Sequence, residues 1–93
     1  MYFIYIIHSK KLDRYYVGTT NNIEKRLIEH NSGFYSEAFT VKGAPWELRL
    51  SFECESSQKA YGLEKFLKRM KSSIFLEKVI TNQDILVDIQ NKL

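Results

Sequence analysis

Apolar and aromatic residues fall in short blocks separated by polar turns, and the period of the blocks changes along the chain. Tyr2 to Ile7 is apolar at both parities and rich in β-branched and aromatic residues, which predicts a central strand covered on both faces. The polar Ser9-Lys10-Lys11-Leu12-Asp13 suits a hairpin loop, and Arg14 to Gly18 resumes the strand pattern, so these two strands should pair antiparallel. Thr19, Thr20, Asn21 and Asn22 form a run of capping residues before a periodic segment. A helix is therefore expected from near Ile23, ending by Asn31-Ser32-Gly33, with Gly33 as a left-handed cap.

Residues 34–44 show no clear period and read as a long loop closed by Gly43-Ala44-Pro45. Trp46 to Phe52 alternates Leu48, Leu50 and Phe52 against Glu47, Arg49 and Ser51, a half-solvated third strand with Trp46 anchoring the core. Ser56-Ser57 caps a helix whose stripe is Ala60, Leu63, Leu67 and Met70; after Met70-Lys71-Ser72-Ser73, Phe75, Leu76, Val79 and Ile80 form a short third helix. Ile85, Leu86, Ile89 and Leu93 fit one more amphipathic helix or turn, placed to cover the core or to meet a second copy. The expected fold is α/β of the α+β kind: a small three-stranded antiparallel sheet flanked by helices, in the order β-β-α-β-α-α with an additional C-terminal element over residues 81–93.

A length of 93 residues leaves room for one domain, and a hydrophobic fraction of 44% argues against disorder. The longest apolar run, Phe3 to Ile7, is too short to span a membrane or to form a secretory core, so a cytoplasmic protein without a membrane partner is expected. A single cysteine, Cys54, reads as a small buried thiol in a reducing compartment, with no neighbouring base to make it a nucleophile. A net charge of +3 permits a polyanionic partner without requiring one. Lys65, Lys68, Arg69 and Lys71 fall within one short stretch, Lys10, Lys11 and Arg14 flank the first loop, and Lys42 precedes the third strand. Taken alone these are as readily solvated basic faces as phosphate contacts.

Three polar residues fall beside apolar stripes. On the first helix Arg26 and His30 border the face defined by Ile23 and Leu27, where Arg26 has a long enough stem to snorkel and His30 is open to a packing role. Glu64 lies about 40° from Ala60 on the helical wheel, at the margin of the stripe. A carboxylate there needs a partner, either Lys68 one turn on or a metal ion. One Cys and two His are too few for a zinc site.

In this order the motifs resemble the GIY-YIG nuclease domain, in particular its small single-domain bacterial branch, related to the N-terminal catalytic domain of the nucleotide excision repair incision subunit. Ile4-Tyr5 matches the end of the first motif and Tyr16-Val17-Gly18 the second; Lys25-Arg26-Leu27 and His30-Asn31-Ser32-Gly33 follow. Gly43-Ala44-Pro45-Trp46-Glu47-Leu48 and Leu63-Glu64-Lys65-Phe66-Leu67-Lys68 resemble the loop into the third strand and the metal-binding helix, so the resemblance covers residues 2–80. Phe3 stands where the family name has Gly, and Thr19 follows Gly18 where the incision-subunit branch carries a Lys.

The resemblance implies that Tyr5, Tyr16, Arg26, His30 and Glu64 converge on one concave side of the sheet. Glu64 would hold one Mg²⁺ or Mn²⁺ that keeps most of its waters, and Arg26 would clamp the scissile phosphate. Tyr5 and Tyr16 would position the attacking water, with His30 a candidate to take its proton. The chain is thus expected to be an endonuclease, with DNA ahead of RNA as partner, Lys10, Lys11, Lys42, Lys65, Lys68, Arg69 and Lys71 as nucleic-acid contacts, and a monomer ahead of a dimer. The alternative is a nucleic-acid-binding domain that keeps the nuclease fold but does not cut efficiently.

Overall fold

The computed structural model describes residues 1–32 and 42–93. β1 (Tyr2–Ser9) is the central strand of a three-stranded antiparallel sheet, with β2 (Arg14–Thr20) and β3 (Trp46–Cys54) at its edges. The helices bounded on both sides by described residues are α1 (Ile23–Asn31), α2 (Ser57–Met70), α3 (Ser73–Thr81) and α4 (Asp84–Asn91). This is the α+β order expected, with the additional C-terminal element formed as a helix. The Gly33 cap and the expected loop as far as residue 41 lie outside the described residues; of the remainder of that loop, Lys42 and Gly43 are helical.

Alternation along β1 sorts the interior into two layers. Ile4 and Ile6 face α2, α3 and α4, packing with Val17, Leu50, Leu63 and Leu67, while Tyr5 and Ile7 face α1 with Trp46, Tyr16, Ile23 and Leu27. Both sets on β1 are buried, which is why the strand is apolar at both parities. Each fully buried aliphatic side chain here is worth about 1.5–3 kcal/mol relative to exposure.

The third strand departs from simple alternation. Ile6 pairs with Leu50 but Ile7 pairs with Leu48, so Arg49 is an extra residue at a bulge. The bulge puts Trp46 on the α1 face and Leu50 on the opposite face, and it leaves Leu48 37% exposed, not in the core as the pattern predicted. It also frees Arg49 to reach α3. Arg49 Nη1 and Nη2 each donate to the Glu77 carboxylate at 3.2 Å, and the Tyr15 hydroxyl donates to the same group. The phenol bond, and then Arg49, hold the Glu77 carboxyl below its ordinary range, while that same bond pushes the Tyr15 phenol up.

Caps explain the helix starts. Asn22, Ser56 and Ser72 each accept a hydrogen bond at 3.1 Å from the backbone N–H three residues on. Of the expected capping run only Asn22 caps α1. Thr19 and Thr20 extend β2, and the Thr20 hydroxyl accepts from Asn22 N at 3.0 Å. The corner between α2 and α3 is made by Lys71 in the left-handed region, at φ 48° and ψ 40°. A side chain there costs about 1–2 kcal/mol relative to ordinary helical backbone.

Met70, expected in the stripe of α2, is 45% exposed because it sits in the last turn, beyond the core; Leu93 is 52% exposed but lies against Gly62. Gln90 is a buried polar residue whose Oε1 accepts from Glu55 N at 2.9 Å, tying α4 to the end of β3. Cys54 is a free buried thiol whose pKa burial pushes up, the mark of a packing residue. Among the described residues no helix is long and apolar enough to cross a membrane.

Candidate active site

The site is built on the pairing of β1 with β2. Tyr5 stands opposite Gly18, and its ring crosses the place where a side chain at Gly18 would project: a Cβ there would lie 2.4 Å from the Tyr5 oxygen. Only glycine leaves that path open. The phenol uses it to reach His30 in the last turn of α1, with Tyr5 Oη 3.0 Å from His30 Nε2. Both residues are 2% exposed. Burial, and then the positive charge of Arg26, lower the His30 pKa from its ordinary value, against a smaller opposing effect of Glu29. The imidazole is therefore held neutral, the form able to accept a proton.

Tyr16 projects on the same face as Tyr5 and lies over this pair. Its ring packs edge-on to His30 with centroids 4.9 Å apart, and at 6.3 Å from Tyr5. One turn before His30, Arg26 is steadied by an ion pair of its Nε with Glu29 at 3.6 Å. Asn31 fastens this end of α1 to the sheet: its side-chain oxygen accepts from Trp46 N, and its amide donates to Trp46 O at 3.2 Å. The sequence offered no role for Asn31 beyond helix termination.

Tyr16, Arg26 and Glu64 line one polar cleft of about 250 Å³, completed by Tyr2, Tyr61 and the Gly18–Asn21 segment. Tyr5 and His30 do not line it; they form the layer behind Tyr16. Glu64 arrives from α2, which packs on the Ile4–Ile6 face of the sheet, whereas Tyr5 and His30 belong to the α1 face. The residues therefore meet across the β2 edge, not on one concave side as the resemblance implied. An edge strand is where elements from opposite faces can approach one another.

Two tyrosines of the cleft went unnoticed in the sequence. Tyr61 lies one turn before Glu64 on α2 and stacks edge-on with Tyr2 at 5.7 Å. Their hydroxyls are 3.4 Å apart. The i, i+3 relation of Tyr61 to Glu64 was the available signal.

Glu64 Oε2 is 2.7 Å from Lys68 Nζ, so the ion-pair alternative is realised. The same ammonium stands 5.6 Å from the centre of the Tyr16 ring. Among the described residues no group of three or more His, Cys, Asp or Glu could enclose a metal ion. A single carboxylate in a roomy polar cleft, already attracting a cation, nevertheless fits a hard divalent ion that retains most of its water.

The remaining basic residues separate. Lys68 and Lys71 line a second cavity on β2, whereas Lys65 and Arg69, one turn apart on α2, line neither. Lys10 and Lys11 sit in the β1–β2 turn, where Lys10 is 3.8 Å from Glu47 with both side chains largely exposed, and Lys42 is exposed before β3.

A family model described as the GIY-YIG catalytic domain matches residues 1–78, a span that contains Tyr5, Tyr16, Arg26, His30 and Glu64. No curated protein and no solved structure gives a significant match.

Proposed function

The chain belongs to the GIY-YIG family, a nuclease-type catalytic domain, and from that premise we propose that it is a metal-dependent endonuclease hydrolysing phosphodiester bonds in DNA. It selects sites by nucleic-acid structure and not by base sequence. The observation that carries this reading is the meeting of Tyr16, Arg26 and Glu64 in one polar cleft, with the Tyr5–His30 pair directly behind.

Hydrolysis needs a water aimed at phosphorus, a cation against the charge that develops, and help for the leaving oxygen. Arg26 presents a planar guanidinium to the phosphate, steadied through Nε so that its outer edge is available for a bidentate contact. Tyr16, bordering the cleft, orients the attacking water by hydrogen bonding. Tyr5 and neutral His30 form a coupled pair in which the imidazole accepts the proton the phenol gives up. Glu64 would hold the divalent ion, which when bound lowers the pKa of water and offsets phosphate charge. As water adds to phosphorus its proton passes to Tyr5 Oη across the open side of Gly18, which borders the cleft, while Tyr5 gives its own proton to His30; the bond to the leaving oxygen breaks, and that oxygen takes a proton from solvent water.

One observation favours a second reading, a binding domain that does not cut efficiently: Lys68 already occupies the Glu64 carboxylate, and Thr19 supplies no charge to the cleft. Incubating the protein with duplex, flap, junction and single-stranded DNAs and matched RNAs, with Mg²⁺ or Mn²⁺, separates the two. Cleavage lost in Glu64→Gln supports the nuclease. Binding with no Glu64-dependent cleavage supports the second reading.

A further inference from the structure

The second cavity lies along the same edge strand. It measures about 410 Å³, within the usual size range of small-ligand pockets, and is bounded by β2 from Arg14 to Val17, the end of α2 and the start of α3. Tyr16 lines both cavities, and the Glu64–Lys68 pair joins them, since Glu64 borders the first and Lys68 the second. A chain passing over the catalytic cleft along β2 therefore enters this cavity next.

Its composition is divided. Val17, Leu67 and Leu76, all buried, form an apolar floor, while Arg14, Lys68 and Lys71 stand on the rim. Among the described residues Arg14 and Lys71 make no ion pair. Asp13, the carboxylate on this rim, is almost fully exposed and lies 3.2 Å from His8 Nε2. Lys71 adds an independent observation: it holds a left-handed conformation that favours glycine, yet it is a lysine aimed at this cavity's rim. An apolar floor under unpaired cations matches a nucleotide, with the base below and the phosphate above. In continuous duplex the base is paired and cannot enter.

We infer that this cavity is a subsite for one unpaired nucleotide adjoining the scissile phosphate, with Arg14 and Lys71 holding its phosphate. It thereby supplies the preference for branched or flapped substrates; the inference rests on the nuclease reading for its position in the reaction but not for binding itself.

The test uses the full chain, ¹⁵N-labelled and in EDTA, titrated with a deoxynucleoside 5′-monophosphate, with inorganic phosphate, and with the free nucleoside. The subsite predicts amide shifts concentrated at residues 14–17 and 67–76, larger for the nucleotide than for either part. Equal shifts with phosphate alone, or shifts elsewhere, overturn it. In parallel, anisotropy in EDTA compares flap and duplex binding by wild type, Lys71→Gly and Arg14→Gln/Lys71→Gly. The double variant should bind the flap about tenfold more weakly, change duplex binding less than about twofold, and lose about one unit of salt slope on the flap. Equal loss on both DNAs makes these generic surface cations and overturns the subsite. Because glycine suits the backbone at position 71, a weaker Lys71→Gly protein is not explained by misfolding. Without metal no cutting intervenes: flap-selective binding by a chain that never cleaves sinks the nuclease reading alone, while Glu64-dependent cleavage without cavity shifts sinks the subsite alone.

Discussion

Gly18→Ala tests the architecture at its narrowest point. Replacing a strand glycine by alanine ordinarily stabilises by about 0.5–1 kcal/mol, because it removes backbone entropy from the unfolded chain. Here the new Cβ would meet Tyr5 Oη at 2.4 Å and Cζ at 2.6 Å, and the ring behind them is buried. Forcing a packed ring aside costs about 1–3 kcal/mol. Pulling Tyr5 off His30 forfeits a further ~0.5–1.5 kcal/mol. The two losses outweigh the gain, and a net destabilisation of about 2 kcal/mol is expected, lowering the melting temperature of a domain this size by about 8–16 °C. Urea unfolding followed by fluorescence of Trp46, the sole tryptophan and buried, reads it directly. Repeating the substitution on Tyr5→Phe should cost less by at least about 0.5–1.5 kcal/mol, since that background lacks both the hydrogen bond and the Oη nearest the new Cβ. Equal costs in the two backgrounds, or an alanine protein as stable as wild type, would refute the role given to Gly18.

The pH dependence follows from His30. Its folded pKa is lowered, so the unfolded chain binds the proton first as pH falls, and stability present in full above about 6.5 is lost below it. His30→Gln should shrink the difference between urea midpoints at pH 7.5 and 5.5; an undiminished difference would count against a buried neutral imidazole. Glu77→Ala removes the shared partner of Tyr15 and Arg49; discounted for partial exposure, the loss should be about 1 kcal/mol, or 4–8 °C, by thermal unfolding. Lys71→Gly should leave melting unchanged or raise it by a few degrees, because relief of a left-handed side chain offsets glycine's entropy; a fall beyond about 4 °C would contradict that.

The local rules that read well from sequence concern elements set by neighbours in the chain. The apolar run from Tyr2 to Ile7, the Asn22 and Ser56–Ser57 caps and the stripe Ala60-Leu63-Leu67 each specify their element through short-range chemistry. Leu48 misled because a bulge is a property of two strands together: pairing with β1 decides it, and no periodicity within β3 reveals it. His30 was legible as a border residue but not as the buried partner of Tyr5, since that contact depends on the open space at Gly18. Glu64 was legible at the margin of its stripe. Its position across the sheet edge from Arg26 was not, because helix packing on the two faces sets it. The motif order proposed a set of residues, and the fold separates them into a cleft layer and a buried layer behind it.

The most direct measurement is the single-turnover cleavage rate of a labelled flap DNA, for wild type and for Glu64→Gln, with Mg²⁺ and with EDTA, the variant's fold checked by circular dichroism. Wild type should cut with Mg²⁺ and stop in EDTA, and the variant should cut about 10²–10³-fold more slowly, the usual loss when one charge-stabilising group is removed. A folded Glu64→Gln protein that cuts at the wild-type rate, or wild-type cutting undiminished in EDTA, would contradict the account.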